Sequence, residues 1–456
     1  MRSIVLAAAL AVLDPAKASP TPTDREPPSE RASVPTVTAS GNAFWQGKDR
    51  FYIRGIDYQP GGSSAAADPL ADTTVCQRDV EQFKKLGINT VRVYITDNSA
   101  NHDTCMNALA DAGIYVIIDA NNPKYSINRE DPKPSYNAVY LQSVFATIDE
   151  FAKYDNTLAF LSGNEVVNDN IKSTACAKYI KAVTRDMRQY IGTRGYRKIP
   201  VGYSAADVAQ NRMQLAQYMN CGTDDERSDF FAFNDYSWCN SDLVTSGWNQ
   251  KVQNFSDYGL PIFLSEYGCT QNGRDFGEIG ALMSKQMTGV YSGGLMYEYA
   301  MEENGFGIVK IPALDSPTVD IQPGFAKMAA ALAAHPPPPG DGGARSTTHA
   351  ASACPTQDAS WLVDSTLLPA LPEEAKVYMS QGAGTGPGLN GPGSQNARGT
   401  STGDAEPGSG SVTSVAGTPT PTKNGGGVSN VRSVEKAPLV LTGIVLAMTT
   451  MGTLLL

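Results

Sequence analysis

The chain has 456 residues and a formal net charge of −10 at pH 7, with 41% hydrophobic, 8% aromatic and 18% charged residues. At about 150 residues per domain there is material for one large domain or two or three ordinary ones, each with a sizeable core. The acidic balance and the lack of any Lys/Arg-rich run exclude the basic footprint of a nucleic-acid binder and an electrostatic grip on anionic lipid. His102, His335 and His349 are the only histidines, too few for a His-rich metal centre and a poor supply for a Ser-His-Asp triad. No metal or cofactor is expected, and carboxylates are the expected reactive groups.

In chain order, residues 4–13 are an apolar run behind Arg2, and Ala16-Lys17-Ala18 offers a small-x-small cleavage site. Residues 1–18 therefore read as a secretory signal peptide, too short to span a bilayer. Residues 19–40, rich in Pro, Ser and Thr, read as an unstructured lead-in. From Gly41 short apolar runs alternate with helical patterns. The runs are 51–57, 88–95, 114–119, 157–164, 199–204, 229–234, 260–265 and 294–299. Apolar residues recur at helical spacing over 75–86, 104–112, 140–154, 175–191 and 276–291. Strands that are continuous apolar runs are those buried on both faces of a parallel sheet. Eight of them separated by helices predict an α/β protein, a (β/α)8 barrel over residues 41–335. A doubly wound open sheet would want a Gly-rich phosphate turn after an early strand, and Gly61-Gly62 does not supply it.

Beyond the barrel, residues 336–339 are four prolines, 340–353 are small and polar, and Cys354 precedes a more apolar stretch at 361–371. An extension over 336–396 that folds back onto the barrel is expected. Residues 397–424 read as a disordered Gly/Ser/Thr/Pro spacer. Asn424-Gly425-Gly426, a polar stretch at 427–436 and an apolar tail at 438–456 have the pattern of a GPI-attachment signal. Asn424 is the best attachment site, 425–456 the propeptide, and the mature protein is expected to be secreted and held by GPI lipid on the outer face of the plasma membrane, with the cell wall as the alternative location. In that oxidising setting the seven cysteines form bridges, and their odd number leaves one unpaired or paired between chains. No CxxC occurs, so zinc-ribbon and thioredoxin-type sites are unsupported. Asn254-Phe255-Ser256 is a glycosylation sequon.

Catalytic groups of such a barrel sit at the C-terminal ends of its strands. The fourth run ends in Ser162-Gly163-Asn164-Glu165 and the seventh in Ser265-Glu266-Tyr267-Gly268. Strands 4 and 7 lie nearly opposite in a ring of eight, so their end groups face each other across the mouth. Two opposed carboxylates suit glycoside cleavage: one protonates the departing oxygen and the other attacks or activates water. Asn164 beside Glu165 can donate to a sugar 2-hydroxyl, a contact that strengthens as positive charge builds at the anomeric carbon.

The segments 52–60 (YIRGIDYQP), 87–94 (GINTVRVY), 160–168 (FLSGNEVVN), 202–212 (GYSAADVAQNR), 263–269 (FLSEYGC) and 294–299 (GLMYEY) resemble the fungal β-1,3-glucanosyltransferases of glycoside hydrolase family 72. So does 379–395 (MSQGAGTGPGLNGPGSQ), and the resemblance runs over about 41–396. It implies a retaining enzyme on a (β/α)8 barrel, with Glu165 as acid/base and Glu266 as nucleophile. Tyr94, Tyr236 and Tyr299, at or near strand ends, are candidates for lining the acceptor subsites. Asp119, Asp207 and Arg212 match positions used near the sugar, and Arg212 is alternatively an ion-pair partner of Glu266. Asn121 and Asn122 open the segment 121–129, expected to wall the donor cleft. The resemblance also implies the bridges Cys76–Cys105, Cys221–Cys354 and Cys239–Cys269, with Cys176 unpaired. No cysteine follows Cys354, so the cysteine-rich carbohydrate-binding module of some members is not expected. The implied activity cuts an internal β-1,3-glucan linkage and moves the new reducing end to the 3-hydroxyl of another glucan's non-reducing end, elongating wall glucan. A monomer acting on glucan donor and acceptor chains is expected. An endo-β-glucanase on the same barrel and a non-catalytic glucan-binding wall protein stay open as alternatives.

Overall fold

The computed structural model describes residues 33–62, 66–345, 350–363 and 367–412. The expected signal peptide, Asn424 and the tail at 425–456 lie outside these residues. Three short antiparallel strands come first, β1 (Val37–Ser40), β2 (Ala43–Gln46) and β3 (Asp49–Phe51). Eight parallel strands follow: β4 (Ile53–Asp57), β5 (Thr90–Val93), β6 (Tyr115–Asp119), β7 (Thr157–Asn164), β8 (Val201–Ala206), β9 (Phe230–Asp235), β10 (Ile262–Tyr267) and β11 (Tyr291–Met296). They pair in chain order, and β11 pairs with β4 to close the barrel. Among the described residues no helix is long and apolar enough to cross a membrane.

Alternation along each strand sorts the side chains into two cores. Ile53, Ile117, Ala159, Leu161, Phe230, Ala232, Phe263 and Leu295 fill the barrel, whereas Ile56, Val91, Val93, Ile118, Phe160 and Tyr203 face the helices. The barrel has a plug at its N-terminal end: the Phe44 ring of β2 lies 5.8 Å from Phe230 and 5.9 Å from Phe263. This corrects the end of the expected lead-in, whose residues 19–32 lie outside the described residues, because 37–40 is a strand whose hairpin partner closes the barrel. The helix Thr73–Leu86 has local signals at both ends. Asp72 accepts from the amides of Thr74 and Val75, and Gly87 takes the left-handed conformation (φ 75°) that ends the helix.

Two expected elements shift. The eighth strand, expected at 294–299, runs over Tyr291–Met296. Gly293 and Gly294 lie inside it rather than at its border: a Cβ would stand 2.0 Å from the Ile53 carbonyl oxygen at Gly293 and 2.9 Å from Leu264 Cβ at Gly294. The helix expected at 276–291 is confined to Gly277–Leu282, and turns carry the chain from there to β11.

The expected spacer is corrected over its described part, and residues 413–424 lie outside the described residues. Residues 397–412 pack on the barrel: Ala138 donates to the Gly399 carbonyl (2.9 Å), Ala405 to that of Leu368 (2.7 Å), and Gly410 to Asp225 Oδ2 (2.8 Å). Upstream, the Cys221–Cys354 bridge and the fully buried Trp361, 5.4 Å from Tyr218, fasten the extension. The other bridges join Cys76 to Cys105 and Cys239 to Cys269, and Cys176 is a buried free thiol. All three pairs are those implied by the resemblance. Asn254 is exposed at the end of the helix Trp248–Asn254.

One buried charge holds the β5 side together. His102 makes 2.7 Å contacts to Asp68 and to Glu150, joining the loop after β4 to the helix Ala138–Phe151. Burial alone would lower its pKa, but the two carboxylates more than reverse this and push it up to about 9. An unfolded histidine titrates near about 6.5, so the stabilisation is complete below that pH and is lost as pH rises through about 9. Chemical denaturation of wild type and His102→Gln should show a gap of about 3 kcal/mol at pH 6 that closes towards pH 9.5. A gap independent of pH would mean that His102 is neutral in the folded protein.

Candidate active site

Inward-facing positions at the C-terminal ends of the strands are polar rather than apolar. Arg92 on β5 and Asp119 on β6 follow the inward alternation, and both are buried. Arg92 donates to both carboxylate oxygens of Asp119 (Nε 3.2 Å, Nη2 2.9 Å) and, through Nη1, to Glu266 Oε1 and the Ser265 carbonyl, each at 3.2 Å. Its guanidinium lies 4.2 Å from the centre of the Tyr94 ring. Tyr94 Oη donates to Glu266 Oε1 (2.9 Å) and Tyr236 Oη to Glu266 Oε2 (2.5 Å). Both oxygens of Glu266 thus meet donors aimed at a carboxylate. Burial pushes the Glu266 carboxyl up, Arg92 opposes that, and Glu165 adds to the rise.

Glu165, on the other side of the mouth, accepts from Asn234 Nδ2 at 2.9 Å. Its backbone is left-handed, with φ of 48°, a conformation that costs a non-glycine residue about 1–3 kcal/mol and gathers at functional sites. Both carboxylate-bearing strands also lose regular register just before their ends, β10 between Leu264 and Glu266 and β7 between Leu161 and Asn164. Such irregularities re-aim side chains. With strict alternation Glu266 would follow the inward Ser265 and point at the helices.

A polar network under the two carboxylates fixes the amides. Ser204 Oγ lies 2.8 Å from Asn164 Oδ1 and from Ser265 Oγ, while Asn234 accepts from Ser265 Oγ (2.9 Å) and donates to Asn164 Oδ1 (3.1 Å). Because Asn164 Oδ1 accepts these bonds, its Nδ2 is the group presented to the cleft, the orientation needed for a sugar hydroxyl. Asp57, at the end of β4, is buried with no partner for either carboxyl oxygen, and burial pushes its pKa well up.

The structure brings most of the expected residues together and separates a few. Tyr94, Asp119, Asn121, Asn122 and Asn164 line one cavity of about 290 Å³ beside Glu165. Asn121 Nδ2 is buried and unpartnered, with Oδ1 accepting from Tyr140; Asn122 Oδ1 accepts from the Lys124 and Tyr125 amides. Tyr299 is not a lining residue: it is fully buried, donates to Asp79 (2.6 Å) and packs edge-on to Tyr58 and Phe83. It lies beyond β11 for the reason given above, and Tyr297 stands at the mouth in its place. Tyr236, Tyr297 and Phe306 form an edge-to-face cluster with ring centres 5.4–6.1 Å apart. Arg212 pairs with Asp207, which also binds Lys251 at 2.6 Å. The arginine on Glu266 is Arg92, not Arg212. Arg92, Asn234, Tyr297 and Phe306 were not expected at the site; the first three share one signal, a polar or aromatic residue at an inward strand end.

A closed parallel barrel with two acidic residues at the ends of its fourth and seventh strands, one clasped by an arginine and two tyrosines, has the construction of a two-carboxylate glycoside-cleaving enzyme. A glucanosyltransferase family model matches residues 27–334, and the chain belongs to this family, glycoside hydrolase family 72. It is 60% identical over 365 residues to the 1,3-beta-glucanosyltransferase gel1 of Aspergillus fumigatus, covering 79% of each chain. It is 52% identical over 375 residues to the 1,3-beta-glucanosyltransferase gas4 of Schizosaccharomyces pombe, covering 79% of this chain and 80% of that one. A mutant of Saccharomyces cerevisiae Gas2p, solved with laminaritetraose and laminaripentaose, superposes with a TM-score of 0.68 at 37% identity, covering 75% of this chain and 76% of that one.

Arg92→Gln leaves Asp119 and Glu266 without their buried counter-charge, so the Glu266 pKa rises further. We expect the acidic limb of kcat/KM to move to higher pH, with kcat/KM down about 100-fold and stability down about 3–5 kcal/mol. A pH–rate profile with an unmoved acidic limb would show that Arg92 does not govern Glu266 ionisation.

Proposed function

We propose that this chain is a retaining β-1,3-glucanosyltransferase that elongates glucan chains. The observation that carries the mechanism is the pairing of Glu266, with donors on both oxygens, and Glu165, held by Asn234 on the facing side. Glu266 attacks the anomeric carbon of an internal β-1,3 linkage while Glu165 gives its proton to the departing oxygen, and the reducing-end fragment leaves. Glu165, now a carboxylate, takes the proton of the 3-hydroxyl at the non-reducing end of a second glucan. That oxygen displaces Glu266 and restores the β linkage. Two inversions give retention. In the first step Tyr94, Tyr236 and Arg92 orient the attacking carboxylate, and Asn164 Nδ2 is placed for the sugar 2-hydroxyl.

Transfer requires an acceptor sugar to outcompete water. The aromatic cluster of Tyr236, Tyr297 and Phe306 offers apolar faces at the mouth on which pyranose rings can rest, raising the acceptor's effective concentration. Laminari-oligosaccharides bound to the related Gas2p support β-1,3-glucan as both donor and acceptor.

Secretion, a glycan on Asn254 and a GPI anchor at Asn424 belong to the same reading. Their support is the apolar run at 4–13, the exposed sequon, and the small–polar–apolar order of 424–456. The protein would then work outside the plasma membrane, where wall glucan is assembled.

Incubated with one purified, reduced β-1,3-gluco-oligosaccharide, the protein should yield products both longer and shorter than the starting chain by mass. Glu165→Gln and Glu266→Gln should each lower turnover by at least about 1,000-fold. Shorter products alone would mean a hydrolase, and no change would mean a binding protein. A phosphatidylinositol-specific phospholipase should release the protein from membranes; release by detergent alone would overturn the anchor.

A further inference from the structure

The glycine-rich stretch 379–395 has no part in the two-carboxylate chemistry, yet its second half is strapped to the loop 121–129. Lys124 Nζ donates to the carbonyls of Leu389 (2.8 Å) and Gly391 (3.2 Å). In return, Ser394 N donates to the Lys124 carbonyl (3.0 Å), Gly393 N to Tyr125 Oη (3.2 Å) and Gln395 Nε2 to the Ser126 carbonyl (2.7 Å). A Cβ on Gly391 would stand 2.1 Å from Tyr125 Oη, so the approach is one that only glycine allows. Asn137 Nδ2 donates to the Ser394 carbonyl (2.8 Å) and fixes the strap to the start of the helix Ala138–Phe151.

The far end of the strapped loop carries Arg129. Its Nη2 donates to the carbonyl of Glu165 (2.5 Å) and its Nε to that of Val166 (2.8 Å), while its own carbonyl accepts from Cys176 Sγ (3.2 Å). These are the carbonyls of the left-handed turn that swings Glu165 off the end of β7. Carbonyls beyond a strand end have no ladder partner, and a planar guanidinium supplies two donors in a fixed fork where an ammonium offers one point charge.

We propose that Arg129, held in place by the strap at 389–395, is a positioning residue for the acid/base: it fixes the backbone turn that aims Glu165, and the post-barrel extension thereby serves catalysis without entering the cleft. The proposal rests on the reading of Glu165 as the acid/base. A carboxyl displaced by about 1 Å loses on the order of 100-fold in proton transfer while the nucleophile is untouched.

The test uses the full chain as wild type, Arg129→Ala, Arg129→Lys, Gln395→Ala and, for reference, Glu165→Ala. Each is assayed on a reduced β-1,3-gluco-oligosaccharide, whose leaving group needs a proton, and on a dinitrophenyl β-laminaribioside, whose leaving group does not. Arg129→Ala should lose about 10- to 100-fold in kcat on the oligosaccharide with KM little changed, and far less in formation of the glycosyl-enzyme from the dinitrophenyl donor. Azide should raise turnover of Glu165→Ala on the dinitrophenyl donor and give a glycosyl azide, whereas Arg129→Ala, which keeps the Glu165 carboxyl, should respond little. Arg129→Lys should fall between wild type and Arg129→Ala, and Gln395→Ala should show the same pattern more weakly. If Arg129→Ala does not fold, those two variants carry the test. Equal losses on both donors, or wild-type turnover on both, would overturn the proposal while Glu165→Ala still discriminates between them. If Glu165→Ala itself is indifferent to the leaving group, the acid/base reading fails and the proposal with it.

Discussion

A single guanidinium, that of Arg92, stands fully buried at the top of the barrel with Asp119 on one side and Glu266 on the other. A charge in that position is tolerable only when it is paired and hydrogen-bonded, and here four bonds from the fork reach two carboxylates and a backbone carbonyl. Removing any one member would strand the others. The arrangement therefore fixes β5, β6 and β10 relative to one another at the end where the chemistry occurs. It also sets two influences on Glu266 against each other: burial pushes its pKa up, and Arg92 with the tyrosine hydroxyls favours the ionised form, the form that the proposed attack requires.

The two carboxylates are held by different means. Glu266 is oriented through its side-chain oxygens, from Arg92, Tyr94 and Tyr236. Glu165 is oriented through its main chain, by the left-handed turn and by Arg129 on its carbonyl, with one side-chain bond from Asn234. The difference suits the proposed roles. A nucleophile keeps one position through both steps, whereas an acid/base must change protonation state, and an oxygen left uncrowded can do so without breaking a donor set.

The barrel was legible because buried parallel strands are continuous apolar runs, and seven of the eight lay within two residues of their observed starts. The eighth run, expected from Gly294, starts three residues earlier, and Gly293 and Gly294 are the positions at which β4 and β10 come too close for a side chain. Tyr299 was assigned to the cleft by that same shift, and Tyr297 was passed over. Arg92 was missed for a related reason: inside an apolar run a lone arginine reads as an interruption, and only the alternation of the closed barrel shows that it points inward at the top layer. The placement of Glu165, Glu266 and Asn164 at the strand ends was legible because polar residues there directly follow apolar runs. The packing of 37–40 and 397–412 was not legible, since short Ser/Thr/Gly-rich segments owe their order to backbone hydrogen bonds with surfaces distant in sequence.

The central claim is that Glu266 becomes covalently glycosylated during turnover. Treatment with a 2-deoxy-2-fluoro β-laminaribiosyl fluoride, followed by digestion and peptide mass analysis, tests it most directly, because the fluorine slows release of the intermediate. One added glycosyl mass on the peptide that contains Glu266, absent in Glu266→Gln, is the expected result. A label on another residue, or none under conditions where the enzyme turns over glucan, would contradict the two-step mechanism.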